Sequence, residues 1–153
     1  MRKICSFTPH ASHLYYLASP YSHADLEVMR TRADVVTKAA VDLLRQNIFV
    51  FAPIAYNAPW EKYHLPSDWT FWQYFDKTFI SRSDAIVVLQ IDGWEKSVGI
   101  AAEIEFAEQS KIPVLYVTLE QIETGDLGHL DPEKVLEDTL SVAVRIGATD
   151  ALY

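Results

Sequence analysis

The sequence predicts an α/β fold: a doubly wound sheet of about five mostly parallel strands with helices on both faces. Two observations carry the prediction. The short apolar runs 14–18, 48–52, 85–89 and 113–117 are continuous rather than alternating, which is the pattern of strands buried on both faces. Between them lie segments with apolar residues three and four apart, which is the pattern of helices that cover such a sheet. Strands that alternate with helices are joined by crossovers and run parallel. The 153 residues suffice for a single domain spanning 1–153 and are too few for two.

Residues 1–12 are a mixed leader with no period. Leu14-Tyr15-Tyr16-Leu17-Ala18 reads as the first strand, closed by the turn Ser19-Pro20-Tyr21-Ser22. From 25 to 46, Leu26, Met29, Ala33, Val36, Ala40, Leu43 and Leu44 recur at helical spacing. The second strand, 48–52, is stopped by Pro53. Residues 54–70 carry Tyr56, Pro59, Trp60, Tyr63, His64, Pro66 and Trp69 with no sustained period, and read as an irregular aromatic loop. A helix over 69–82 follows, capped by Ser67 or Asp68. After the strand 85–89, the loop Asp92-Gly93-Trp94 runs to Ser97 and opens a helix over about 98–110, then the strand 113–117. The extension 119–153 offers Asp131-Pro132-Glu133 as an N-cap with proline at the first helical position, opening a helix to about 146. Gly125 and Gly128 mark a flexible link before it.

Composition narrows the function. Half of the residues are apolar and 22% are charged, which is ordinary globular usage. The formal net charge of −8 argues against a duplex DNA or RNA partner, which would need a basic face. A small anion remains compatible, because local N–H groups and a few cations outweigh distant charge. Cys5 is the one cysteine, so an internal disulfide is excluded and nothing nearby would activate the thiol. The sequence has no signal-peptide pattern and no apolar run of membrane-spanning length, so a cytoplasmic, soluble protein without a membrane partner is expected. The five histidines (10, 13, 23, 64 and 129) lack metal-ligand spacing, and no metal site is expected. Neither a dinucleotide GxGxxG, a P-loop nor a GxSxG elbow occurs.

Parallel sheets bind ligands outside the carboxyl ends of their strands. The 19–23 turn, the aromatic loop and the 92–97 loop all follow strands, so they share one rim. Glu103 lies about one turn into the helix behind that rim, near backbone N–H groups suited to an anion. It reads either as a nucleophile or base, or as a surface glutamate on an amphipathic helix. Asp76 shares a helical strip with Trp72, Phe79 and Ile80. It reads equally as a proton donor with a raised pKa or as a surface acid beside Lys77. Glu105, about 200° around from Glu103, faces elsewhere. Asp84 caps or turns the chain. Asp92 either binds a sugar hydroxyl or makes an Asp-Gly turn. Trp94 and the loop tryptophans either stack on a flat base or anchor a core or interface.

Tyr16-Leu17-Ala18-Ser19-Pro20-Tyr21, an aspartate (Asp76) ahead of Ser83-Asp84-Ala85-Ile86-Val87-Val88, Gly99-xxx-Glu103-Ile104-x-Phe106-Ala107, and Lys111-Ile112-Pro113-Val114 together resemble the nucleoside 2-deoxyribosyltransferase superfamily. The similarity spans roughly 14–117. It implies a flavodoxin-like fold, a nucleophilic glutamate that falls on Glu103, and an aspartate protonating the departing base that best matches Asp76. The transferases usually carry Asp two residues before the glycine and Thr after it, where this chain has Ser97 and Ile100. A serine there looks more like the 2′-deoxynucleoside 5′-monophosphate N-glycosidases, where it helps hold the phosphate. Pro20-Tyr21-Ser22 departs from their glycine-rich first loop, and Glu105 from the usual small residue, so the chain resembles a divergent branch. It is similar also to bacterial and phage proteins of unassigned function that share Ser-Pro-Tyr-Ser and Gly-Trp.

The resemblance implies cleavage or transfer at the N-glycosidic bond of a nucleoside 5′-monophosphate, with no cofactor. Glu103 would attack C1′, Asp76 would protonate or orient the base, and Tyr16 would position Glu103. Ser97, the Gly99 backbone, Ser19 and Ser22 would hold phosphate and sugar, with Pro20 and Tyr21 in the same turn. Tyr56, Asn57 and Trp94 would contact the base, and Asp92 a sugar hydroxyl. A homodimer or higher oligomer is implied as well. The other reading is a nucleotide-binding module on the same fold without turnover.

Overall fold

The computed structural model describes residues 13–134 and 137. Within them the helices begin where the sequence supplies a cap. The Asp25 carboxylate accepts the Glu27 N–H at 2.9 Å and starts α1 (Leu26–Arg45). Asp68 does the same for the Phe71 N–H and α3 (Trp69–Ile80), and the Ser97 hydroxyl for the Ile100 N–H and α4 (Val98–Gln109). Each such cap contributes about 1 kcal/mol. The strands β1 (Leu14–Ala18), β2 (Phe49–Phe51), β3 (Ala85–Leu89) and β4 (Val114–Val117) form one parallel sheet in the order β2-β1-β3-β4.

Register decides which side chains meet the helices. Tyr16 pairs with Phe51 on one side and Ile86 on the other, and Ile86 with Val114. Tyr16, Ala18, Ile86 and Val88 therefore point to one face, against Ile80 of α3 and Ile100 and Ala107 of α4. Tyr15, Leu17, Val87 and Leu89 point to the other, against Val36, Ala39 and Leu43 of α1. Helices thus cover both faces, and every residue of β3 is buried. Burying each Val, Leu or Ile contributes roughly 1.5–3 kcal/mol. Among the described residues no helix is long and apolar enough to cross a membrane.

Three expectations need correction. The sheet has four strands among the described residues, not about five. After β4 the chain turns directly into α5 (Leu119–Thr124). The Thr118 hydroxyl accepts the Gln121 N–H at 3.1 Å, and the Gln121 side chain accepts the Thr118 N–H at 3.0 Å. Gly125, at φ 76°, is the left-handed end of that helix rather than the start of a flexible link. The aromatic segment, expected to be irregular, is mostly helical: α2 (Pro53–Asn57) runs into a 3₁₀ segment (Ala58–Tyr63). Pro53 ends β2 and at the same time occupies the first position of α2, where its fixed φ and missing N–H are harmless. The helix expected from Asp131 begins as read, with its carboxylate accepting the Glu133 N–H at 3.0 Å and residues 132–134 helical. Its continuation to 146 and the 1–12 leader lie outside the described residues.

The order β2-β1-β3-β4 reverses direction between β1 and β3, which opens a crevice beyond their carboxyl ends. Arg32 of α1 ties the two segments that leave those ends. One guanidinium nitrogen donates to the Tyr21 and Ser22 carbonyls at 3.3 and 3.0 Å, the other to the Asp92 carbonyl at 3.3 Å. Gly93 makes this possible, because its φ is +89° and a Cβ there would collide with the Arg32 side chain. Gly93→Ala is therefore expected to cost about 1–2 kcal/mol from the left-handed backbone alone. A lower Tm, together with faster hydrogen exchange in 19–23 and 92–97, checks it; an unchanged Tm would remove the tie from the account.

Candidate active site

The crevice contains a cavity of about 520 Å³. Its walls come from the turn after β1, from α2 and the 3₁₀ segment, from α3 with the residues before it, and from the first half of α4. Ser97 caps α4 and so fixes the helix that turns Glu103 inward, while Glu105 stays exposed. Asp76 comes from the facing side of α3. Glu103 is 7% exposed and Asp76 8%, and both line the cavity. The fully buried Tyr16 hydroxyl donates to Glu103 Oε1 at 2.6 Å. Neither Glu103 nor Asp76 is a surface acid.

Burial dominates the electrostatics. It pushes Glu103 up to about 8, helped by the neighbouring Asp76 carboxylate and opposed by the Tyr16 hydrogen bond. It pushes Asp76 up to about 6, again opposed by Tyr16. The Tyr16 phenol lies well above its usual range, first from burial and then from the two nearby carboxylates, so it stays protonated and remains a donor. The two carboxyls therefore do not both ionise readily, and around neutral pH the pair holds about one proton. Tyr16→Phe removes the donor and leaves a buried carboxylate oxygen unpaired, which costs about 1–3 kcal/mol. We expect it to raise the Glu103 pKa further, which carboxyl-resolved NMR titration would detect as a later transition.

The remaining residues divide. Ser19, Tyr21, Ser22, Asn57, Ser97 and Gly99 line the cavity. The Ser22 hydroxyl donates to the Ser67 carbonyl at 3.1 Å, which ties the turn after β1 to the segment before α3. Four of the expected residues lie outside the cavity lining. Pro20 is fully buried beneath the turn. Tyr56 is 54% exposed and packs on Phe51 and Trp60 outside the cavity, because α2 rotates it away from Asn57. Trp94, half-buried, lies against Tyr116 at 5.8 Å and packs on the core beneath α4. Asp92 opens on a separate apolar pocket beside α1, with its carbonyl held by Arg32. Asp84 is structural, accepting the Leu14 N–H at 2.7 Å.

Two contributors escaped the sequence reading. Trp72, which the sequence places only on the helical strip of Asp76, lines the cavity with Trp60 and Trp69. Its indole N–H donates to the Pro66 carbonyl at 2.6 Å, and its ring stacks at 6.3 Å on Trp60. Lys96 is the one cation in the lining among the described residues, directly before Ser97 and the amino end of α4. Its position in the Asp92–Ser97 loop was the available signal.

Fold and site together define an α/β protein in which two helices over a parallel sheet bring two buried carboxyls, one held by a tyrosine hydroxyl of the sheet, into an indole-lined cavity at the switch point. The model of the family described as Domain of unknown function (DUF1937) matches residues 13–119, and the chain belongs to that family. Tyr16, Asp76 and Glu103 all fall within the match. No curated protein matches the chain.

Proposed function

We propose that the protein breaks the N-glycosidic bond of a 2′-deoxynucleoside 5′-monophosphate, passing the sugar to water or to a second base. The observation that carries the reading is the buried Glu103 carboxyl, held at 2.6 Å by Tyr16 and accompanied by Asp76 in one cavity. The resemblance of the motifs to the nucleoside 2-deoxyribosyltransferases points the same way, and the parallel sheet suits their flavodoxin-like arrangement.

Burial alone favours leaving the pair's proton on Glu103, whereas attack requires it on Asp76. A base nitrogen seated against Asp76 accepts a hydrogen bond only from the protonated acid, so substrate binding draws the proton there. The hydrogen bond from Tyr16 then stabilises the charge left on Glu103. Glu103 attacks C1′ as the C1′–N bond breaks, and the bonding electrons leave with the base, which takes the Asp76 proton. The product is an ester between C1′ and Glu103. Asp76, now ionised, removes a proton from water attacking C1′, and the ester oxygen returns to Glu103 as carboxylate. A second base in place of water gives transfer. The indoles of Trp60, Trp69 and Trp72 supply faces for the base. Lys96, Ser97 and the amino end of α4 suit the 5′-phosphate.

The test is incubation of the purified chain with deoxynucleoside monophosphates, ribonucleoside monophosphates and unphosphorylated deoxynucleosides, followed by chromatography for free base. Release from the deoxynucleoside monophosphates is expected. If none is released, while a nucleotide raises the Tm, the chain binds nucleotides without turnover; if neither occurs, the reading fails entirely.

A further inference from the structure

Buried polar atoms are almost always paired, so those that are not call for an explanation. Among the described residues, Ser19 Oγ and Asn57 Oδ1 are the buried side-chain atoms without a hydrogen-bond partner. Both line the cavity that holds Asp76 and Glu103. Ser19 follows the strand that carries Tyr16, so its hydroxyl belongs to the sugar end. Asn57 is different. It ends α2 in helical conformation, at φ −89° and ψ −17°, and its side chain makes no capping bond to the 3₁₀ segment Ala58–Tyr63 that follows. Trp60, three residues on, shares the lining and stacks on Trp72. The unpaired amide oxygen thus stands at the indole end of the cavity.

An amide presents one acceptor and two donors in a plane, the complement of a nucleobase edge. With Oδ1 as its buried atom, the ligand has to supply an N–H. We propose that Asn57 selects the base, accepting a hydrogen bond through Oδ1 from an edge N–H that stands beside an acceptor. The inference rests on the nucleotide reading of the cavity above. An exocyclic amino group (adenine or cytosine) or a ring N–H (guanine or thymine) carries the same chemistry, and the experiment separates these sources.

Calorimetry with the full chain measures affinity for the four deoxynucleoside monophosphates and for analogues that lack the donor. In the adenine and cytosine analogues hydrogen replaces the amino group; in the guanine and thymine analogues a methyl blocks the ring N–H. The best-bound parent is expected to lose roughly 5- to 150-fold in affinity when its edge donor is removed. The parent that shows the loss identifies the donor. Asn57→Leu should weaken that parent by a similar factor and abolish the difference between parent and analogue, the signature of direct coupling. Among the described residues Asn57 makes no side-chain hydrogen bond that the variant could break, and the Tm of the variant verifies folding. The analogue series on the unaltered chain needs no variant at all. Loss of affinity independent of the donor, or undiminished discrimination by Asn57→Leu, overturns the proposal, as does failure of all four nucleotides to bind. Donor-dependent binding without base release would sustain it while overturning the proposed turnover.

Discussion

Glu103→Gln is expected to lower base release by at least about 10³-fold while leaving the fold intact or more stable. The amide keeps the shape of the side chain and can still accept the Tyr16 hydroxyl, but it cannot form an ester with C1′. It also removes a carboxyl that burial holds far above its ordinary range, so no structural bond is sacrificed. A melting scan beside the activity assay separates lost chemistry from lost structure. Asp76→Asn should behave differently. Loss of a general acid costs about 10²–10⁴-fold with an ordinary base, which departs only with a proton. A purine nucleotide methylated at N7 is already cationic, and its base leaves without a donor. Asp76→Asn should recover most of its rate on that substrate, whereas Glu103→Gln should recover none. Equal rescue of both variants, or of neither, would overturn the division of roles.

The contrast between these two carboxyls was only half visible in the sequence. Periodicity carries the regular elements: the apolar spacing in α1 and the runs in β1 and β3 place their bounds within a residue or two. It fails where helices are short. In α2 and the 3₁₀ segment five or six residues give no full period, and the prolines that start them also read as strand and loop breakers. The α5 helix is equally short, although its Thr118–Gln121 capping box was a legible signal. In the site, Glu103 and Asp76 were identifiable because motifs in the right order surround them. Their burial was not, since it depends on α3 and α4 packing over the same sheet face. The parts that Trp94 and Trp72 play were hidden for the same reason. An indole in a rim loop looks exposed and one in a helix strip looks like core, until tertiary packing turns Trp94 onto Tyr116 and opens Trp72 to the cavity.

The same burial predicts an unusual dependence of stability on pH. Asp76 titrates at 3.8 and Glu103 at 4.5 in their ordinary states, and at about 6 and about 8 in the folded chain. Both shifts are upward, so between those limits the folded chain holds protons that the unfolded chain has released. Stability from these two groups is therefore fully present at pH 4 and below, and is lost as pH rises through about 6 and then about 8. This is the reverse of an ion-paired carboxylate, whose contribution disappears on acidification. While a group is protonated only in the folded state, the slope approaches about 1.4 kcal/mol per pH unit. Exposed groups titrate in the background, and the comparison of wild type with Glu103→Gln cancels them. The Tm difference between the two should be small near pH 4–5 and grow through pH 8, with the variant the more stable, by roughly 2–4 °C for each kcal/mol. A constant difference across that range would show that Glu103 ionises normally. A growing one would mean that ionising Glu103 costs the fold stability, so that the folded chain keeps a proton the unfolded chain has released. An anionic phosphate in the same cavity would raise that cost, so a group opposing it is required, and Lys96 beside the amino end of α4 is the candidate. Lys96→Met should accordingly leave the pH dependence of the empty protein unaltered and weaken nucleoside monophosphates about tenfold relative to nucleosides, the discrimination expected of one charge-assisted phosphate contact.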